Sequence, residues 1–111
     1  MILDERMVVA RVRRLTPGDL RQWVREGWVR PAQGESGPVF DELDVARIRL
    51  LCDLTADMAL PPEAVSVVLM LIDRLHETRR AARCLTEALE EQPEAVRDAV
   101  IRSYRRRQGG S

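Results

Sequence analysis

Apolar positions recur along this chain mostly at helical spacing, and turn residues cut the pattern into segments. In LTPGDLRQWVREGW (residues 15–28), Leu20, Trp23 and Val24 fall at i, i+3 and i+4 and form one face of a helix over 16–26. Thr16 is placed to cap it, Pro17 fits its first position and Asp19 its first turn. Gly27 ends it, as a left-handed residue commonly does, and Pro31 prevents its resumption. Upstream, DERMVVARVRR (residues 4–14) reads as a short helix with acids early and arginines late. Its β-branched run also allows a strand.

PAQGESGP (residues 31–38) is a loop rich in Pro and Gly. Val39 and Phe40 are expected to pair with Trp28 and Val29 as a minimal two-stranded ribbon. A third helix begins at Asp41, with Asp44 three residues on and a Phe40–Val45 staple across the cap. Leu43, Ala46, Leu50, Leu54 and Met58 line one of its faces; Val45, Ile48 and Leu51 widen it. Ala59-Leu60-Pro61-Pro62 breaks the pattern, and Pro62 restarts a helix that runs to about Glu91.

Along that long helix Val68, Leu71, Leu75, Thr78, Ala82, Leu85 and Leu89 repeat at alternating spacings of three and four. Its second half has few other hydrophobes, so it needs a partner along one stripe. A second copy is the simplest partner, which predicts a homodimer through Val68, Leu71, Leu75, Ala82, Leu85 and Leu89. The alternative is packing on the last helix of the same chain. Pro93 precedes that helix, 94–107, with Ala95, Val96, Ala99, Val100 and Tyr104 inward; the final QGGS reads as disordered. The expected fold is all-α with a minimal ribbon. Its divisions are a domain over 1–60, a dimerisation helix over 61–92, and a short helix and tail over 93–111.

Charge alters this picture more than composition does. The 111 residues carry 18 arginines and no lysine against 18 acids, for a net charge of zero. Proteins dedicated to nucleic acid usually carry a basic excess, because phosphate neutralisation supplies most non-specific affinity. Residues 41–92 are acidic, with six arginines against eleven acids, and both flanks are mildly basic.

Catalytic chemistry is not visible. The one histidine, His76, lies inside the heptad helix with no nucleophile placed by motif, and there is no phosphate- or dinucleotide-binding loop. An enzyme is the least expected class, and no cofactor is implied. Cys52 and Cys84 lack zinc-ligand spacing and are expected to be buried, reduced thiols of a cytoplasmic protein. No stretch is long enough to span a membrane.

LTPGDLRQWVREGWVRP, a Gly-containing loop, VFDELDVARIRLLCDL and ALPPEAVSVVLMLIDRLHE together resemble a MerR-type winged helix. In that family a helix-turn-helix is followed by a short wing, further helices and a long dimerisation helix. Leu20, Arg21, Gly27 and Pro31 match its second helix and exit, and Phe40-Asp41 its third helix start. DNA-binding members carry an Arg-Tyr-Tyr-Glu-like run where this chain has Arg21-Gln22-Trp23-Val24. Their wings carry basic or aromatic residues where Gln33, Glu35 and Ser36 stand here. The branch most similar is that of the CbpM-type chaperone modulators, over residues 15–90, chiefly through VFDELD and ADMALPPEAVSVVLMLIDRL. The helix after Pro93 is not part of that resemblance.

The resemblance implies a protein that binds the J-domain of a CbpA/DnaJ-type co-chaperone and masks its basic helix from Hsp70. Asp41, Glu42, Asp44, Asp53 and Asp57 are the acids available for that helix, with Trp28 as an aromatic anchor. The alternative is a MerR-type DNA-binding regulator using Arg13, Arg14, Arg21 and Arg25.

Overall fold

The computed structural model describes residues 1–109. Two compact units divide the chain, Met1–Met70 and a second from Leu71 onward. In the first unit, helix α1 spans Glu5–Arg11, capped by Asp4, whose side chain accepts from the Met7 N–H at 2.9 Å. Helix α2 spans Pro17–Arg25, and Thr16 Oγ1 accepts from the Asp19 N–H at 3.1 Å. Gly27 sits at φ 77°, and the N–H groups of Gly27 and Trp28 close on the carbonyls of Val24 and Trp23. This closure satisfies the last carbonyls of α2 and turns the chain sharply away.

Strands β1, Ala32–Gly34, and β2, Gly37–Val39, form an antiparallel hairpin with Ala32 opposite Val39 and Gly34 opposite Gly37. Gly37, at φ 120°, supplies a backbone conformation that a side chain resists. The ribbon is therefore not the expected pairing of Trp28-Val29 with Val39-Phe40. The N–H groups of Trp28 and Val29 both turn back onto the Trp23 carbonyl, so neither joins a ladder. Phe40 instead exchanges both backbone hydrogen bonds with Leu3, at 2.7 and 2.8 Å. The start of the chain is thereby fixed against the start of the third helix.

Helix α3, Glu42–Cys52, opens with a full capping box: Asp41 Oδ1 accepts from the Asp44 N–H at 2.8 Å, and Asp44 Oδ2 from the Asp41 N–H at 3.0 Å. Removing the first of these with Asp41→Ala is expected to cost about 1 kcal/mol, read by urea denaturation. The buried face of α3 is Val45, Ile48, Leu51 and Cys52, continued by Leu54, with Leu50 partly buried against the core; Leu43, Ala46 and Met58 of the expected face stay out of it. Leu43 is 80% and Met58 60% exposed, and Ala46 is also exposed. Two apolar stripes compete along α3. The one that follows Phe40, itself 1% exposed, across the cap joins the core.

A π-helical turn, Asp53–Asp57, extends α3. Thr55 Oγ1 donates to the Leu51 carbonyl at 2.7 Å, a local bond that competes with regular helix pairing. Ala59 then adopts φ 52°, and the Leu60 N–H closes on the Leu54 carbonyl. Because a left-handed conformation costs a Cβ-bearing residue about 1 kcal/mol, Ala59→Gly is expected to raise stability by up to that amount in the same denaturation measurement.

The core of the first unit joins Leu3, Val8, Leu20, Trp23, Phe40 and α3 to Val65 and Leu69 of helix α4, Pro62–Glu90. Val68, expected on the dimer seam, packs partly buried against this core. Pro62 opens α4, and the Val65 N–H returns to the Pro61 carbonyl.

The second unit is a helical hairpin. The rest of α4 leads through a short turn into helix α5, Glu94–Gly109. No side chain from Leu71 to Gly109 is buried. Helix α5 runs past the expected end at 107 and takes in Gln108 and Gly109, because nothing before Gly109 breaks it; the last two residues of QGGS lie outside the described residues. Ala95, Val96 and Ala99 are exposed, whereas Ile101 is half-buried.

Candidate partner-binding surfaces

The end of α1 and the turn after it project Arg11 and Arg14 toward α3. Arg11 makes two hydrogen bonds to the Glu42 carboxylate, at 2.8 and 3.2 Å. Arg14 lies between Asp53, at 2.6 Å, and Asp57. The π-helical turn presents both carboxylates to the one guanidinium. The bonds to Asp57 and Asp53 raise the Arg14 pKa further above its already high value. Glu42 is held below the usual carboxylate range by its bond to Arg11. Asp44 is pushed up by burial, against the opposing pull of the Asp41 N–H. These ion pairs are exposed, so they fix geometry more than they add stability.

Two sets of candidate residues thus meet in one cluster. Glu42, Asp53 and Asp57, expected to face a basic partner, hold Arg11 and Arg14; Arg14 was itself a candidate phosphate contact. Asp41 and Asp44 cap α3. Trp28 is half-buried, its indole N–H donates to Ser66 Oγ at 3.1 Å, and its carbonyl accepts from Arg47 Nε. None of these long-range pairs has a sequence signature, because each joins residues at least 19 apart.

The face of α2 that a helix-turn-helix presents to a groove is balanced in charge. Arg21 Nε donates to Glu5 Oε1 at 2.9 Å, and Arg25 reaches only Gln22, at 3.4 Å. Arg13 is exposed and makes no ion pair among the described residues. Asp19 and Glu26 stand beside Arg21 and Arg25, and Glu35 occupies the tip of the β1–β2 wing. Arg21 and Arg25 also border a shallow crevice of about 260 Å³ with Glu5, Leu20, Val24, Pro38 and Phe40.

In the hairpin, Leu71, Leu75 and Leu85 are exposed and Leu89 is half-buried. Ala82, Leu85 and Leu89 face Val100, Ile101 and Tyr104 of α5 across an open groove of about 570 Å³. Helix α5 therefore lies in front of the seam without covering it. Cys84 is exposed here, contrary to expectation, and is not among the side chains of α4 that line the groove toward α5. Cys52 is buried and its thiol is pushed up, chiefly by that burial. Brief alkylation of the native chain is expected to label Cys84 and spare Cys52, as read by peptide mass spectrometry.

Among the described residues, no group of three or more His, Cys, Asp or Glu is arranged to hold a metal ion, and no helix is long and apolar enough to cross a membrane. No curated protein and no solved structure in the comparisons matches the chain. One family does match, described as the MerR HTH family regulatory protein, over residues 8–71. That span runs from inside α1 through α2, the wing and α3 to the first turns of α4, nearly the whole first unit. With more than half of its length matched and this helix-turn-helix and wing in place, the chain belongs to the MerR HTH family of regulatory proteins.

Proposed function

We propose that this chain is a protein-binding regulator built on a DNA reader's scaffold, and that it acts as a homodimer. Its partner in this reading is the J-domain of a CbpA/DnaJ-type co-chaperone, which it masks from Hsp70. The observation that carries the protein-binding reading is the charge of α2, its cap and the wing with the segment between them: Asp19, Glu26 and Glu35 balance Arg21, Arg25 and Arg30. A surface with no basic excess gains little from releasing counterions off a phosphate backbone. The J-domain itself is supplied by the resemblance to the CbpM-type modulators. Asp41, Glu42, Asp44, Asp53 and Asp57 offer five carboxylates beside Arg11 and Arg14, and a basic helix complements that excess. The homodimer is supported by the exposed leucines of the hairpin, which has no core of its own.

Titration of the full chain against an isolated J-domain tests the reading. Binding at micromolar concentration, weakened by salt, is expected; no binding in the tens of micromolar would overturn it. The family assignment favours a second reading, DNA regulation through Arg13, Arg14, Arg21 and Arg25. That reading requires duplex binding that falls steeply with salt. The same titration against duplex DNA at low salt separates the two.

A further inference from the structure

Helix α3 carries an apolar stripe that the core does not take. Leu43, Ala46 and Leu50 stand at i, i+3 and i+7, on the side of the helix opposite Val45, Ile48 and Cys52. Leu43 is 80% exposed, Ala46 is exposed, and the half-buried Leu50 joins the stripe to the core. A single exposed leucine is ordinary surface. An apolar row along a helix, rimmed by charge, marks a place where another surface is seated.

The rim is defined on both sides. Glu42 and Asp53 flank the stripe on one side, and their bonds to Arg11 and Arg14 set the end of α1 and the turn after it against that flank. On the other side Arg47 turns away from the stripe, its Nε donating to the Trp28 carbonyl. The π-helical turn continues the rim with Asp57 and then Met58, itself 60% exposed. Five carboxylates, Asp41, Glu42, Asp44, Asp53 and Asp57, thus surround the stripe, against Arg11, Arg14 and Arg49.

That combination selects its occupant. A nucleic-acid backbone would meet carboxylates and an apolar row, both unfavourable to phosphate. A second copy of the same face would set the five carboxylates against themselves. A helix with one apolar row and basic side chains beside it matches both the stripe and its rim.

We propose that the outer stripe of α3 is the docking face for a basic amphipathic helix of the J-domain, with Leu43 as the apolar anchor and the rim carboxylates setting orientation. The proposal rests on the J-domain reading above. It moves the anchor from Trp28, which is half-buried with its indole bonded to Ser66, to a side chain free to be covered.

Leu43→Glu in the full chain tests it by the sign of the effect. Leu43 lies in the first turn of α3, where an acid is favourable, so the urea midpoint is expected to stay at the parent's value. If charge alone held the partner, one more carboxylate would tighten binding. With Leu43 as anchor, calorimetric titration against an isolated J-domain is expected to give an affinity about tenfold or more below the parent's. Leu43→Ala, which adds no charge, is expected to weaken binding about fivefold. That ratio is expected to persist at about 500 mM salt, because apolar contact is not screened.

A parent that binds, with Leu43→Glu binding as tightly or more tightly, overturns the proposal and leaves the J-domain reading standing. A parent that shows no binding in the tens of micromolar removes both. Sedimentation equilibrium of Leu43→Glu is expected to give the parent's oligomeric state. Weakened self-association with unchanged J-domain affinity assigns the stripe to a second copy and overturns the proposal. Should Leu43→Glu lower the urea midpoint, Leu43→Ala decides, and parental affinity there overturns the proposal.

Discussion

Phe40→Ala is expected to destabilise the first unit by about 3–5 kcal/mol. Phe40 is 1% exposed and stands at the meeting of three elements. Its backbone bridges Leu3, its residue precedes the α3 cap, and its side chain joins the buried cluster containing Leu20, Trp23 and Val45. Truncation removes the ring from the core and leaves a cavity that the fixed backbone on both sides cannot close. Small domains hold only about 5–15 kcal/mol in total, so the loss takes a large share of what keeps this unit folded. Urea denaturation followed by far-ultraviolet circular dichroism gives the value. A loss below about 1 kcal/mol would mean that the ring is not a core element at all.

The second large effect concerns assembly and leaves the first unit intact. Leu75→Glu combined with Leu85→Glu is expected to weaken dimerisation at least about a hundredfold, because each leucine contributes about 1.5–3 kcal/mol when covered and the symmetry counts each twice. Neither residue contributes to the buried core, which ends at Leu69. The unfolding midpoint of the first unit is therefore expected to stay within experimental error of the parent's. Sedimentation equilibrium and denaturation on the same sample separate the two outcomes. A double variant that remains dimeric would place the interface elsewhere.

Local chemistry was the legible part of this fold. Thr16, Gly27 and the Asp41–Asp44 pair mark helix ends through contacts three or four residues long, and such signals are written in the sequence itself. The Ala59–Pro62 break was equally readable. The strand register was not. It depends on the Trp23 carbonyl taking two N–H groups and on Leu3 reaching Phe40, a contact across most of the first unit. Likewise α3 carries two apolar stripes, and only its neighbours decide between Leu43 and Val45.

The acidic and basic candidates were each visible, but their mutual neutralisation was not. Arg11 with Glu42 and Arg14 with Asp53 and Asp57 join segments more than 30 residues apart. Periodicity carries no information about such pairs.

The placement of the aromatic residues gives this molecule a natural pair of optical reporters. Both tryptophans, the buried Trp23 and the half-buried Trp28 with its indole bonded to Ser66, belong to the first unit. The hairpin's aromatic residue is Tyr104, which lines the groove beside Leu85. Indole emission therefore reports melting of the helix-turn-helix and is silent on the hairpin, while phenol absorbance reports closure of the groove. One unlabelled sample in one cuvette resolves folding from assembly.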